Sequence, residues 1–144
     1  MDWHDKSFDE LTVLELYSIV ALRERVFVVE QRCAYLDADG YDLRARHVWA
    51  ADGNAIVAYL RVVPAGVKRA EASIGRVVVD ESARGTGLGR ELMRRGIAMV
   101  DGPIRIGAQA HLQAFYTELG FATVSAPYDE DGIPHVEMLR RAGS

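Results

Sequence analysis

The stretch SARGTGLGRELM, residues 82–93, follows the apolar run IGRVVVD at residues 74–80 and opens a long helical pattern. Its glycines Gly85, Gly87 and Gly89 alternate, and Arg84 and Arg90 flank them. A helix N-terminus leaves backbone N–H groups unpaired and carries partial positive charge, so it favours anions. Glycine permits unusual dihedrals and a close approach of backbone to ligand. The pattern reads as a cradle for phosphate or pyrophosphate between a buried strand and a helix.

Two nucleotide cradles are excluded by spacing. A P-loop needs G-x-x-x-x-G-K-[ST], and here Arg90 and Glu91 follow the last glycine. A dinucleotide fingerprint needs G-x-G-x-x-G directly after a strand. Here the spacing is G-x-G-x-G, residues 81–84 intervene, and Arg90 stands where the third glycine belongs.

Working outward, the helix after the turn is clear. At 100° per residue, Leu88, Leu92, Met93, Gly96 and Ile97 fall on one half of the wheel, and Arg90, Glu91, Arg94 and Arg95 fill the other. Gly102 and Pro103 stop it. IRIGAQ (104–109) reads as a strand. Leu112, Phe115, Tyr116 and Leu119 mark another helix, closed by Gly120. FATVSA (121–126) and HVEMLRR (135–141) are final strands around the loop PYDEDGIP. Upstream, residues 11–30 read as helix, with Leu11, Leu14, Tyr17 and Val20 at spacings of three. CAYLDADGYD (33–42) is a loop with a tight turn at Asp39 and Gly40. HVWAAD and AIVAYLRVVP are strands joined at Gly53 and Asn54, and SIGRVVVD is a third, with Val77, Val78 and Val79 as a β-branched run. No repeat or linker interrupts the chain, so residues 1–144 form a single domain mixing strands and helices.

Composition bounds the function. The chain has 144 residues, 49% hydrophobic and 26% charged, with a net charge of −4. Residues 1–60 hold six Lys+Arg and eleven Asp+Glu, residues 61–105 nine and five, and residues 106–144 two and five. A nucleic-acid partner does not fit this balance. The basic middle third holds the glycine turn and suits an anionic ligand; the acidic ends suit a cationic partner. No apolar run is long enough to span a membrane, and the polar, acidic start is unlike a signal peptide. One cysteine, Cys33, allows no intrachain disulfide, which points to a reducing cytoplasmic compartment. Cys33 reads as a small buried apolar side chain. DADGYD is no calcium loop, because the sixth and twelfth positions from Asp37 are Asp42 and Val48. The four histidines and Cys33 show no metal spacing.

The turn resembles the [QR]-x-x-G-x-[GA] pyrophosphate loop of the GNAT acetyltransferase superfamily, with Arg84, Gly85, Thr86, Gly87, Leu88 and Gly89 in its six positions. FYTELGF at 115–121 is similar to that family's second cofactor segment, Y-x-x-x-G-F. LRERVFVVEQ, YLDADGYD, GAQAHLQAFY and PYDEDGIPHVEM resemble segments of its ElaA-like branch, and the resemblance covers roughly residues 3–140. It implies the GNAT acyl-CoA N-acyltransferase fold, an α/β (α+β) mixed sheet of about six to seven strands flanked by helices. It implies acetyl-CoA as cosubstrate, no metal, and direct transfer of the acetyl group to an amine in a ternary complex. A small molecule or peptide would supply the amine. A homodimer is compatible with the superfamily.

By that resemblance the backbone of residues 84–89 holds the CoA pyrophosphate, Arg84 and Arg90 add charge, and Val77, Val78 and Val79 lie along the pantetheine arm. Gln109 bonds pantetheine or caps a helix. Tyr116 matches the tyrosine beside the sulfur, where a phenol can protonate the leaving thiolate. An acceptor amine of pKa ~10.4 must lose a proton, at a cost of about 4.6 kcal/mol at pH 7, and the thioester carbonyl needs a donor such as a strand N–H near Val79. Many relatives carry a glutamate on the strand before the turn. Here that strand reads Ile74, Gly75, Arg76, Val77, with no carboxylate. The base candidates are Glu30, Asp39, His47, His135 and Glu137. His135 is the catalytic choice, since imidazole exchanges protons near neutrality. The absent carboxylate sustains an alternative, a non-enzymatic acyl-CoA-binding or sensor domain. The acidic ends suggest a polyamine, an amino sugar or a basic peptide as acceptor.

Overall fold

Gly53 and Asn54 make the expected two-residue hairpin, and Asp52 pairs with Ala55 across it. Gly53 has φ +60°, as a tight hairpin with glycine at its first turn position requires. The hairpin joins β2 (Arg46–Asp52) to β3 (Ala55–Val63). The computed structural model describes residues 1–143. A first sheet has the antiparallel order β1 (Asp2–Ser7), β2, β3, β4 (Ser73–Val79). A second is built on β8 (Ile133–Arg140), which pairs antiparallel with β5 (Ile104–Gln109), β6 (Ala122–Thr123) and β7 (Tyr128–Glu130). Among the described residues the two sheets meet at a single parallel bridge, Ala72 with Ile104. The expected mixed sheet is thus two antiparallel sheets of four strands each, joined in parallel at one point.

Two helices sandwich the first sheet. α2 (Leu88–Ala98) buries Leu88, Leu92, Met93 and Gly96 against Leu60, Ile74 and Ile104, leaving its arginines outside, as its wheel predicts. A Cβ on Gly96 would sit 3.0 Å from Leu60, so the helix–sheet approach depends on glycine there. On the opposite face α1 (Val13–Arg23) packs Ile19 and Leu22 against Trp49, Tyr59 and Val78. Residues of β3 serve both clusters, Ala58, Leu60 and Val62 the first and Ile56 and Tyr59 the second, which is why it is apolar apart from Arg61.

Two features depart from the sequence reading. Leu14 and Tyr17, taken as the apolar stripe of α1, are 73% and 74% exposed. The buried stripe is Ile19, Leu22, Arg23 and Val26, at i, i+3, i+4 and i+7. Beyond Arg23 the helix continues as a π-helical segment, Glu24–Glu30, with Gln31 N–H donating to Val26 O at 3.0 Å. PYDEDGIP is a hairpin rather than a loop. Asp131 and Gly132 both have positive φ, 53° and 82°, and Glu130 pairs with Ile133 across them. No helix among the described residues is long and apolar enough to cross a membrane.

Candidate active site

The site follows from the single bridge between the sheets. Arg105 N–H donates to Ala72 O at 2.9 Å, and beyond that point β4 bonds only β3 while β5 bonds only β8. The two strands splay apart. A bulge lies on the splayed part of β4, where Tyr59 pairs with Val78 and Arg61 with Gly75. Arg76 and Val77 therefore face one residue, Leu60, and Arg76 takes φ +52°. A bulge leaves main-chain groups out of the ladder. It falls at Arg76 and Val77; Val79, near which the sequence suggested a strand N–H donor, pairs with Ala58.

Two clefts open from the splay. The larger, about 590 Å³, runs from Val77, Val78 and Val79 to the glycine turn at the start of α2. Gly85 and Gly87 have φ +77° and +83°, and nothing lies within 4 Å of a Cβ built on either. Gly87 caps α2, whose first N–H groups point out unpaired. A Cβ on Gly89 would meet Val79 at 3.5 Å, an ordinary contact. A turn with two left-handed glycines, open space and a helix N-terminus fits a pyrophosphate. Arg84 and Arg90 line the cleft, but each already holds a carboxylate: Arg84 grips Glu30 at 2.7 and 3.0 Å, and Arg90 binds Glu118. Thr86 lies outside the lining, its hydroxyl donating to Ala83 O at 2.7 Å.

The smaller cleft, about 300 Å³, lies on the other side of the splay, under the β7–β8 hairpin. The two share Phe27, Gln31, Val77, Gln109, Leu112 and Tyr116. Tyr116 sits at their junction on α3 (Gln113–Glu118) and is 6% exposed. Its hydroxyl bonds no group among the described residues, and burial pushes its pKa up to about 12. Its position is set by how α3 ends. Phe121 N–H donates to Tyr116 O at 3.2 Å, Gly120 N–H donates to Thr117 O at 3.0 Å, and Gly120 has φ +95°. This is a Schellman motif, which gives Y-x-x-x-G-F a physical meaning.

The sequence and fold now bear on descent. The family model described as an acetyltransferase (GNAT) domain matches residues 25–141. The chain belongs to the GNAT acetyltransferase family. It is 42% identical to protein ElaA of Escherichia coli, over 97% of this chain and 96% of that one. The crystal structure of Escherichia coli ElaA superposes with TM-score 0.91 at 41% identity, covering 97% of this chain and 99% of the other. An acyl-CoA N-acyltransferase from Pseudomonas aeruginosa superposes with TM-score 0.92 at 42% identity, with the same coverage.

Within this GNAT scaffold the base candidates separate. His47 is 1% exposed, its Nδ1 2.6 Å from Tyr59 Oη and its Nε2 2.9 Å from Asp42 O. It is structural. Glu30 lies on the glycine-turn side, held by Arg84. Glu137 accepts from Tyr128 Oη at 2.7 Å and from Arg69 at 3.2 Å. Asp39 takes Arg61 at 2.6 and 2.8 Å, and its pKa is held far below the ordinary range by Arg61 and Arg76 against the pull of burial. His135 lines the smaller cleft, directly across the β5–β8 register from Gln109. Its Nδ1 is 2.7 Å from Ile133 O and its Nε2 3.3 Å from Glu130. Gln109 forms a reciprocal amide pair with Gln31, at 3.3 and 3.4 Å.

The acids of DADGYD do not present an acidic face. Asp37 takes Arg23 and Arg76, Asp39 takes Arg61 and Arg76, and Asp42 takes Arg23 and Arg61, all between 2.6 and 3.2 Å. The network ties the loop to α1, β3 and the β4 bulge. Cys33 is buried, as read, with Sγ 3.2 Å from Asp131 O. The sequence reading passed over Phe27, Gln31 and Arg76. The π-helical segment was the only local signal for the first two, and it is not written in residue pattern.

Proposed function

We propose that the protein transfers the acetyl group of acetyl-CoA to a primary amine, by direct attack with both substrates bound. The observation that carries this is the junction at Tyr116, a buried ring whose hydroxyl has no partner among the described residues, where a phosphate-type cradle's cleft meets a second cleft. The cosubstrate supplies an acyl thioester, which an amine can attack and from which a thiolate can leave.

The chain's own groups then have distinct tasks. Main-chain N–H groups of residues 85–89 and the dipole of α2 hold the pyrophosphate. Val77, Val78 and Val79 line the pantetheine arm's path, with Gln109 beside it. A main-chain N–H freed at the Arg76–Val77 bulge donates to the thioester oxygen. The Tyr116 hydroxyl donates to the leaving sulfur. His135 takes the amine proton. The Ile133 carbonyl can only accept, so His135 Nδ1 carries a hydrogen, which leaves Nε2 as the ring atom that would take the amine proton. A proton gained at Nε2 lies beside the Glu130 carboxylate.

The test is thermal unfolding with excess acetyl-CoA, NAD or ATP, followed by CoA release on an amine panel. A ligand at ~100 times its dissociation constant adds about 2.7 kcal/mol. A shift with acetyl-CoA alone and CoA release with an amine support the reading. A shift without turnover on any amine transfers the case to an acyl-CoA sensor.

A further inference from the structure

The smaller cleft keeps its charges on separate walls. The β7–β8 hairpin contributes Glu130 and Asp131, and the connection from β3 to β4 contributes Lys68 and Arg69. Asp39 and Arg76 also line it, but they are consumed in the aspartate–arginine network. Arg69 donates to Glu137 at 3.2 Å and to Ser73 at 2.9 Å. Lys68 differs from its neighbours. Its Nζ lies 5.4 Å from the centre of the Tyr41 ring, and among the described residues no carboxylate pairs with it.

This end of the cleft has a surplus of positive charge. The charged residues that line it are Lys68, Arg69 and Arg76 against Asp39, while Glu130 and Asp131 lie on the hairpin wall. Arg61 Nε is buried without an acceptor, which adds an unmatched donor. Desolvation and the guanidiniums of Arg61, Arg69 and Arg76 hold the Lys68 ammonium below its ordinary pKa. A second cation would be repelled here and an anion attracted.

We infer that the acceptor is a primary amine that also bears a carboxylate, of amino-acid or short-peptide size, with Lys68 binding the carboxylate and the hairpin wall of Glu130 and His135 taking the amine. Arg69, Ser73 and Val77 all line the cleft, and Val77 is shared with the cofactor cleft. The amine end needs an acceptor for its proton, and the hairpin provides His135 with Glu130. A polyamine would place its second cation against Lys68. This inference rests on the acetyltransferase reading for the identity of the cleft.

The experiment measures binding apart from turnover. Free amino acids and glycylglycine are titrated beside their carboxamides, with putrescine and spermidine as carboxylate-free amines, into wild-type protein and Lys68→Met with CoA present. The best-bound acid is expected to bind about tenfold or more tighter than its amide, as a charge-assisted contact supplies. Lys68→Met should erase that ratio while acetyl-CoA affinity stays unchanged. Equal binding of acid and amide, or tighter binding of putrescine or spermidine, overturns the inference. So does an acid–amide ratio that survives in Lys68→Met. A separate acetyl-CoA titration keeps the two readings apart, since its failure would remove the cosubstrate without altering the acid–amide ratio.

Discussion

Phe121 holds Tyr116 twice: its N–H closes the end of α3 on the Tyr116 carbonyl at 3.2 Å, and its ring packs edge-on at 6.0 Å. Tyr116 is thus fixed while its hydroxyl stays free at the junction of the clefts. Tyr116→Phe keeps the packing and removes only the donor. We expect kcat to fall about a hundredfold with the dissociation constant of acetyl-CoA unchanged. Equal turnover in the variant would take Tyr116 out of the reaction.

Gly87 is the cap of α2 and has φ +83° with nothing within 4 Å of a built Cβ. Glu at this position fits the free space of the folded chain but puts a carboxylate where the pyrophosphate would sit. Gly87→Glu should weaken acetyl-CoA about a hundredfold or more. The left-handed backbone costs it only about 1–2 kcal/mol of stability. Calorimetric titration and far-ultraviolet circular dichroism separate the two effects. Unchanged affinity would sink the cradle.

The Glu30–Arg84 pair spans the same cleft with side chains 39% and 41% exposed. Such a pair is worth about 0.2–1 kcal/mol, so opening it costs little. Glu30→Gln removes a negative charge from the phosphate end and frees the guanidinium. Acetyl-CoA should bind about two- to fivefold tighter, and Arg84→Ala should bind it more weakly. Weaker binding in Glu30→Gln would show that Glu30 itself contacts the cosubstrate.

Much of this was legible in the sequence because it is local. The glycine turn, α2 and the Gly53–Asn54 hairpin each state their geometry in a few adjacent residues. β1 was not legible: no residue of DWHDKS is fully buried, so burial imposes no apolar alternation on it. The β7–β8 hairpin did carry its signal, Asp131 followed by Gly132, yet the surrounding acids made it read as a loop. The face of α1 was misread because apolar residues lie on both sides of the helix, and only contact with Trp49 and Tyr59 selects one. The acids of DADGYD read as loop acids facing a cationic acceptor, since their partners come from α1, β3 and β4. Pairing across the fold has no sequence period.

That network makes a prediction of stability. Asp37 joins Arg23, which is 2% exposed, to Arg76 on the bulge, and accepts from Tyr35 Oη at 2.6 Å. Removing one partner of a buried pair strands the other's charge, at a cost of about 3–5 kcal/mol. Asp37→Ala should be destabilised by that amount in urea unfolding. Asp5→Ala, which breaks the exposed pair with Arg46, should lose under about 1 kcal/mol. Similar losses in both would mean the network is no better than surface pairing.

Acid should dismantle the protein in two stages. Burial holds His47 below its ordinary pKa, with the nearby guanidiniums of Arg23 and Arg61 adding to it, against the opposing pull of the Asp42 carbonyl 2.9 Å from Nε2. The unfolded chain protonates this histidine near pH 6.5, so its share of stability is complete above that pH and drains as pH falls below it. Asp39 and Asp42 are held low by their arginines against the pull of burial. Their contribution is present above the unfolded value near 3.9 and is lost as pH falls beneath it. Unfolding free energy should therefore be level from about pH 7 to 8, then decline from about pH 6.5 and again below about pH 4. One proton difference gives a slope of about 1.4 kcal/mol per pH unit. Urea titrations across that range test the profile, and His47→Gln should abolish the first decline while sparing the second. A single transition near pH 4 in wild type would show that His47 takes up its proton without leaving the fold.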